Sequence, residues 1–202
     1  MRLQGGWPGV GRGYTRAMFL DAAAYPFVPE LERSWRSIRA EFEALGRECR
    51  IPWPERELHA GGWEVVGLYA FGRKLAPMCA RCPETTRLVE SIPGMTTAGF
   101  SFLNPGTHIL PHRGYSTDVL RCHLGLQVPA GCSMRVGTET RQWVEGRCLV
   151  FDDTMEHEVW HRGDQPRVVL LVDFARPGIG KPPAVGMPAA VEAALGRSGS
   201  GS

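Results

Sequence analysis

Two kinds of apolar spacing divide the chain. From Pro29 to Leu45, Leu31, Trp35, Ile38, Phe42 and Leu45 recur every three or four residues, with Glu and Arg between them. That period gathers them on one face of a helix, and Gly46 supplies a stop. The stripe reads as core packing. A second short helix is predicted over Glu84 to Ser91, after Pro83 and before Pro93-Gly94. Between the two, Ile51 to Gly62 reads as a loop, with Pro52, Pro54 and the Gly61-Gly62 pair. Trp63 to Phe71 is rich in β-formers.

From about Thr96 the helical period gives way to short strand-like runs. These are Ala98–Leu103, Thr107–Leu110, Leu120–Val128, Ser133–Val136, Gln142–Val144, Cys148–Phe151, His157–His161 and Val168–Phe174. Turn formers separate them, among them Asn104-Pro105-Gly106, Pro129-Ala130-Gly131 and Arg162-Gly163-Asp164. Many short strands with regular punctuation predict a sandwich or jelly roll, with the helices packed outside it. In Leu120–Val128, Leu120, Cys122, Leu124, Leu126 and Val128 share one face, and Arg121, His123, Gly125 and Gln127 share the other. The second face is either solvated or turned into a barrel mouth, where Arg121 and His123 would grip an anion.

Composition narrows the class without naming it. The chain has 202 residues, 43% of them apolar, and a net charge of +2. This suits one globular domain and gives no electrostatic case for nucleic acid. No apolar run has the length of a membrane span, and the Gly-rich N-terminus lacks an apolar signal core. The expectation is a soluble cytoplasmic protein. Residues 1–18 would be a flexible segment, 19–177 a single domain, and 178–202 a flexible tail with one short helix at Ala189–Leu195. The six cysteines do not form a disulfide-scaffold pattern. Cys79 and Cys82 make a lone CxxC, and structural zinc would need two more ligands. Free thiols are expected.

The candidate chemistry lies between Ser101 and Arg167. A non-haem iron site commonly uses two histidines and a carboxylate, the carboxylate two residues after the first histidine. His112 is followed at that distance by Gly114, which offers no side chain. His157 sits among Asp152, Asp153, Glu156 and Glu158. It is either a solvated histidine paired with a carboxylate or a metal ligand held by an acceptor on its other nitrogen. Arg167 opens an apolar strand; at a pocket rim its planar fork suits a carboxylate. His108 and His161 read as structural.

Taken together, the segments FSFLNPGTHILPHRG, LRCHLGLQVP, RQWVEGRCLVFDDTMEHEVWH and PRVVLLVDFARP resemble the aspartyl/asparaginyl β-hydroxylase family, in its order and spacing. The resemblance is strong from about Thr96 to Pro177. It implies a double-stranded β-helix, a jelly-roll form, with flanking N-terminal helices. It also implies an enzyme that uses iron(II), 2-oxoglutarate and dioxygen to hydroxylate an unactivated C–H bond. By the same resemblance His112 and His157 are the iron ligands. Ser101 and Arg167 hold the distal carboxylate of 2-oxoglutarate, and Arg121 and His123 hold its iron-proximal carboxylate. Glycine at the position of Gly114 is similar to the peptide-hydroxylating branch, whereas the lipid A hydroxylase branch resembles the His-x-Asp form. In the peptide branch an arginine two positions before the equivalent of Arg121 is thought to hold the substrate carboxylate. Here that position is Val119, and Arg113 and Arg73 are the candidate replacements.

The resulting expectation is a stand-alone dioxygenase. It would hydroxylate the β carbon of an Asp- or Asn-like residue, free, carrier-bound or in a peptide. The alternatives are a halogenase, an acyl-chain hydroxylase acting on a lipid, or a jelly-roll binding domain without turnover.

Overall fold

The computed structural model describes residues 17–179 and 187–198. The helices are α1 (Val28–Arg33), α2 (Trp35–Glu43), α3 (Ala76–Arg81), α4 (Pro83–Glu90) and α5 (Ala189–Ser198). The strands are β1 (Phe19–Leu20), β2 (Ile51–Pro52), β3 (Trp63–Ala70), β4 (Arg73–Lys74), β5 (Thr97–Leu103) and β6 (His108–His112), followed by β7 (Val119–Gln127), β8 (Cys132–Val136), β9 (Glu139–Arg141), β10 (Cys148–Phe151), β11 (His157–His161) and β12 (Arg167–Ala175). The expected flexible ends lie mostly outside the described residues. Within the second of them, α5 covers and extends the short helix expected at Ala189–Leu195.

Among the described residues the strands build two antiparallel sheets. The larger runs β1-β10-β7-β12-β5-β3-β2, with β4 paired to β3; the smaller runs β6-β11-β8-β9. This is the mainly β, jelly-roll architecture that the strand spacing predicts. One apolar cluster fills the space between the larger sheet and α1, α2 and α4, with Leu31, Ile38, Phe42, Phe100, Phe102, Leu124 and Leu170 at its centre. A second cluster joins the two sheets face to face through Trp63, Phe151 and Val169 on one side and Ile109, Met134 and Val159 on the other. Leu120, Cys122, Leu124 and Leu126 of β7 belong to the first cluster, so Arg121 and His123 point into the space between the sheets. That face of β7 is turned inward, not toward water.

The single helix expected from Pro29 to Leu45 is split at Ser34. Ser34 is a poor helix former, and its φ and ψ of −89° and 3° lie outside the helical well. α3 was not expected. Its six residues begin with Ala76-Pro77, where proline fits the first turn, but they are too few to show a period. The expected strand at Gln142–Val144 lies instead at Glu139–Arg141, and Gln142–Val144 is a connection without regular structure. All six cysteines are free.

Candidate active site

The two histidines predicted to share a metal are direct cross-strand partners. His112 ends β6, His157 begins β11, and the β-ladder pairs one with the other. Their ring centroids are 4.0 Å apart. His112 Nδ1 lies 2.7 Å from the carbonyl oxygen of Leu110, and His157 Nδ1 lies 3.0 Å from that of Met155. A carbonyl only accepts, so each Nδ1 carries the proton and each Nε2 keeps its lone pair. Both rings are held neutral. Burial lowers the pKa of each, taking His157 to about 3, where the nearness of His112 adds to the effect. Two neutral imidazoles, each with a lone pair on Nε2, form a donor set suited to a divalent transition metal. Among the described residues no group of three or more His, Cys, Asp and Glu side chains converges as a metal site.

Gly114 lies two residues past His112, and the carboxylate of Asp153 fills the space in front of it. A Cβ built on Gly114 would overlap that carboxylate, and the Gly114 N–H donates to the Asp153 carbonyl at 2.7 Å. Asp153 is buried, and burial raises its pKa to about 6 against the opposing pull of Arg121.

Deeper between the sheets is a group of buried donors. Arg167, 1% exposed, has no hydrogen-bond partner at Nε or Nη1, and His123 has none at Nε2. Burial pulls the Arg167 pKa down to about 10 and the His123 pKa well below its ordinary value. Removing a guanidinium from water costs on the order of several kcal/mol unless an anion meets it. Ser101 is also buried; its Oγ accepts the Trp63 indole N–H at 3.0 Å, which leaves the hydroxyl proton for another acceptor. The register places Ser101 opposite Val169, two residues along the same face from Arg167.

Arg121 has a different setting. Its Nε and Nη2 donate to the two carboxylate oxygens of Asp173 at 2.7 and 2.9 Å, and Nη2 lies 3.3 Å from Asp153. Asp173 is its cross-strand partner on β12. The arginine therefore braces two carboxylates beside the histidine pair. Of the candidate substrate cations, Arg113 is exposed and donates to the Thr154 carbonyl, while Arg73 is exposed at the β3–β4 hairpin. His108 pairs with Glu158 on the outer face, and His161 is buried against Cys132 and the Gln165 carbonyl. Both thus have partners of their own within the protein.

Next to the ion-paired layer opens a cavity of about 1650 Å³. Arg121, Asp153 and Asp173 line its inner end, and Val119, Tyr69, Phe71, Leu75, Met95 and Phe174 are among its mostly apolar walls. The histidine pair itself does not line it. Gly67 and Gly99 pair across β3 and β5 in its wall.

Asp153, Asp173 and Trp143 are the site residues that sequence reasoning missed. The acidic run around His157 was visible, but not which of its carboxylates turns inward. Trp143 carried no signal because its segment was read as a strand.

Fold and site together define a jelly-roll protein with two neutral imidazoles side by side and a group of buried, unpartnered donors between its sheets. Residues 32–177 match the family model described as aspartyl/asparaginyl beta-hydroxylase, and the chain belongs to that family. It is 40% identical over 168 residues to an ornithine lipid ester-linked acyl 2-hydroxylase from Rhizobium tropici, covering 78% of this chain and 60% of that protein. It is 34% identical over 186 residues to the human aspartyl/asparaginyl beta-hydroxylase, covering 88% of this chain and 23% of that one. The chain thus spans less than two thirds of either relative. Among solved structures, a 2OG-Fe(II) oxygenase family oxidoreductase from Burkholderia pseudomallei superposes with a TM-score of 0.50 at 13% identity, over 74% of this chain and 81% of that one. That likeness concerns the fold.

Proposed function

We propose that this chain is an iron(II)- and 2-oxoglutarate-dependent dioxygenase that hydroxylates an unactivated carbon of an apolar chain, such as the acyl group of an amino-acid-containing lipid. The observation that carries the reading is the set of unpartnered interior donors, His123 Nε2 and Arg167 Nε and Nη1, beside a pair of neutral imidazoles. Such a set suits a dicarboxylate bound next to a metal.

His112 and His157 would hold the metal through Nε2, each ring being fixed by its Nδ1 bond to a carbonyl. Arg167 and Ser101 would hold one carboxylate of 2-oxoglutarate, and the Nε2–H of His123 would donate to the other. Arg121 positions the neighbouring carboxylates of Asp173 and Asp153. Asp153, whose carboxylate occupies the space that a side chain at residue 114 would need, presents a buried acceptor there. Trp63 and Phe151, within 6.4 and 5.8 Å of the histidine rings, keep bulk water from the metal position. When bound, iron, 2-oxoglutarate and dioxygen supply the oxidising power for C–H cleavage, with succinate and carbon dioxide as by-products.

The substrate reading rests on the cavity. A substrate carboxylate entering it would meet Val119 and an Arg121 already paired with two carboxylates; of the other cations in the lining, Lys74 and Arg176 are paired with Glu90 and Asp152, which leaves, among the described residues, the exposed Arg73 as its one partner there. An apolar chain meets matching walls. The Rhizobium relative, named for an acyl-chain reaction, supports the same choice. The test incubates the protein with iron(II), 2-oxoglutarate and either an N-acyl amino acid or an Asp- or Asn-containing peptide. A mass gain of one oxygen on the acylated compound is expected. Oxygenation of the peptide alone would restore the acidic-residue reading.

A further inference from the structure

Trp143 touches both residues assigned to the anion pocket. Its Nε1 lies 3.3 Å from His123 Nδ1, and the Arg167 guanidinium carbon lies 4.7 Å from its ring centroid. The indole is buried, 3% exposed. It is brought there by a close approach of two chain segments. Gly146 N–H donates to the Gly125 carbonyl at 2.8 Å, and Gly125 N–H donates to the Arg147 carbonyl at 3.1 Å. A Cβ on Gly125 would strike the Val144 carbonyl oxygen, so only glycine on β7 lets the Trp143 segment pack this close.

We propose that Trp143 is the positioning residue of the anion pocket, selecting the tautomer of His123 through its indole N–H and supporting the Arg167 cation on its ring face. The proposal rests on reading that pocket as the 2-oxoglutarate site. An indole nitrogen only donates, so His123 Nδ1 must accept, and the imidazole proton must sit on Nε2. Nε2 is the buried atom that has no protein partner. In the opposite tautomer Nε2 would present a lone pair to an incoming carboxylate and repel it. Trp143 thus decides whether the pocket offers a donor or an acceptor at that point.

The ring face has a separate task. A buried cation needs support, and the two arginines of the site find it in different ways. Arg121 is supported by Asp173, which occupies two of its N–H groups. A carboxylate in the same place on Arg167 would occupy the fork and neutralise its charge. The negative π-face of an indole supports the guanidinium from above and leaves its N–H edge open. Arg167 Nε and Nη1 are open in this way.

The test separates the two tasks. Trp143→Phe keeps a ring under Arg167 and removes the N–H; Trp143→Leu removes both. Ring-nitrogen NMR on metal-free protein reads the His123 tautomer directly. Wild type should show the Nε2–H form alone and Trp143→Phe a mixture. Calorimetry with 2-oxoglutarate on manganese-loaded protein should show binding weakened roughly tenfold in Trp143→Phe, the loss of one hydrogen bond to a charged ligand, and well beyond that in Trp143→Leu. An unchanged tautomer in Trp143→Phe overturns the proposal, as does equal 2-oxoglutarate affinity in all three proteins. Trp143→Phe preserves ring packing, so the tautomer result stands even if Trp143→Leu does not fold. A wild type that shows the pure tautomer but binds no 2-oxoglutarate would overturn the co-substrate reading of the pocket and leave the tautomer assignment standing.

Discussion

The carboxylate of Asp153 stands where a side chain on residue 114 would have to go. Glycine at 114 and aspartate at 153 are therefore one arrangement. Gly114→Asp forces the two carboxylates together in a buried space. The variant should lose about 1–3 kcal/mol of stability and most of its activity. Adding Asp153→Gly should recover part of the stability. Thermal unfolding of the two single variants and the double variant measures the coupling, which should exceed about 0.5 kcal/mol. Strict additivity would show that the two positions do not share the space.

Arg167 should act on the co-substrate and not on the metal. Arg167→Leu removes a buried guanidinium with open donors, so the 2-oxoglutarate KM should rise by roughly a hundredfold or more. The iron requirement should change little. Steady-state titration of each in turn checks this, and equal shifts in both would contradict the assigned role.

Acid should weaken the metal-free protein through its buried neutral histidines. Burial, aided by Arg167, holds His123 well below its ordinary pKa near 6.5. Below that pH the unfolded chain takes up a proton that the folded one refuses, so stability falls as pH falls. One such group contributes a slope of up to about 1.4 kcal/mol per pH unit. Denaturant unfolding between pH 7 and pH 5 should show a shallower slope in His123→Gln than in wild type. Identical slopes would mean that His123 does not contribute.

Phe71 has a φ of 50°, the one positive value outside glycine among the described residues. With Gly72 it makes the turn between β3 and β4, a position better suited to asparagine. Its ring packs on Tyr115, with centroids 6.3 Å apart, and both residues line the cavity. Phe71→Asn should raise stability by about 1 kcal/mol and also raise the KM for an apolar substrate. A gain in stability with no kinetic change would leave the ring without a substrate role.

The parts of this molecule legible in the sequence were those with a local cause. Cys148–Phe151 and His157–His161 form strands with the expected bounds, because each is a short β-rich run between turn formers. The inward turn of Arg121 and His123 followed one of two readings of the β7 alternation. The pairing of Arg121 with Asp173 did not, because it depends on the register of two strands that brings together residues 52 positions apart. Trp143 and Asp153 act through contacts across strands, and no spacing along the chain reports those. Gly125 shows the same limit. It read as one position in an alternating strand, and its importance comes from a carbonyl that approaches from another segment.

The most direct test of the account is an anaerobic titration of wild type, His112→Ala and His157→Ala with iron(II) and 2-oxoglutarate, followed by the visible absorption of the iron–keto-acid chelate. Wild type should develop the band at one equivalent of iron, and either alanine variant should lose it or need far more metal. A wild type with no band, or variants that match it, would contradict the placement of iron between these two histidines.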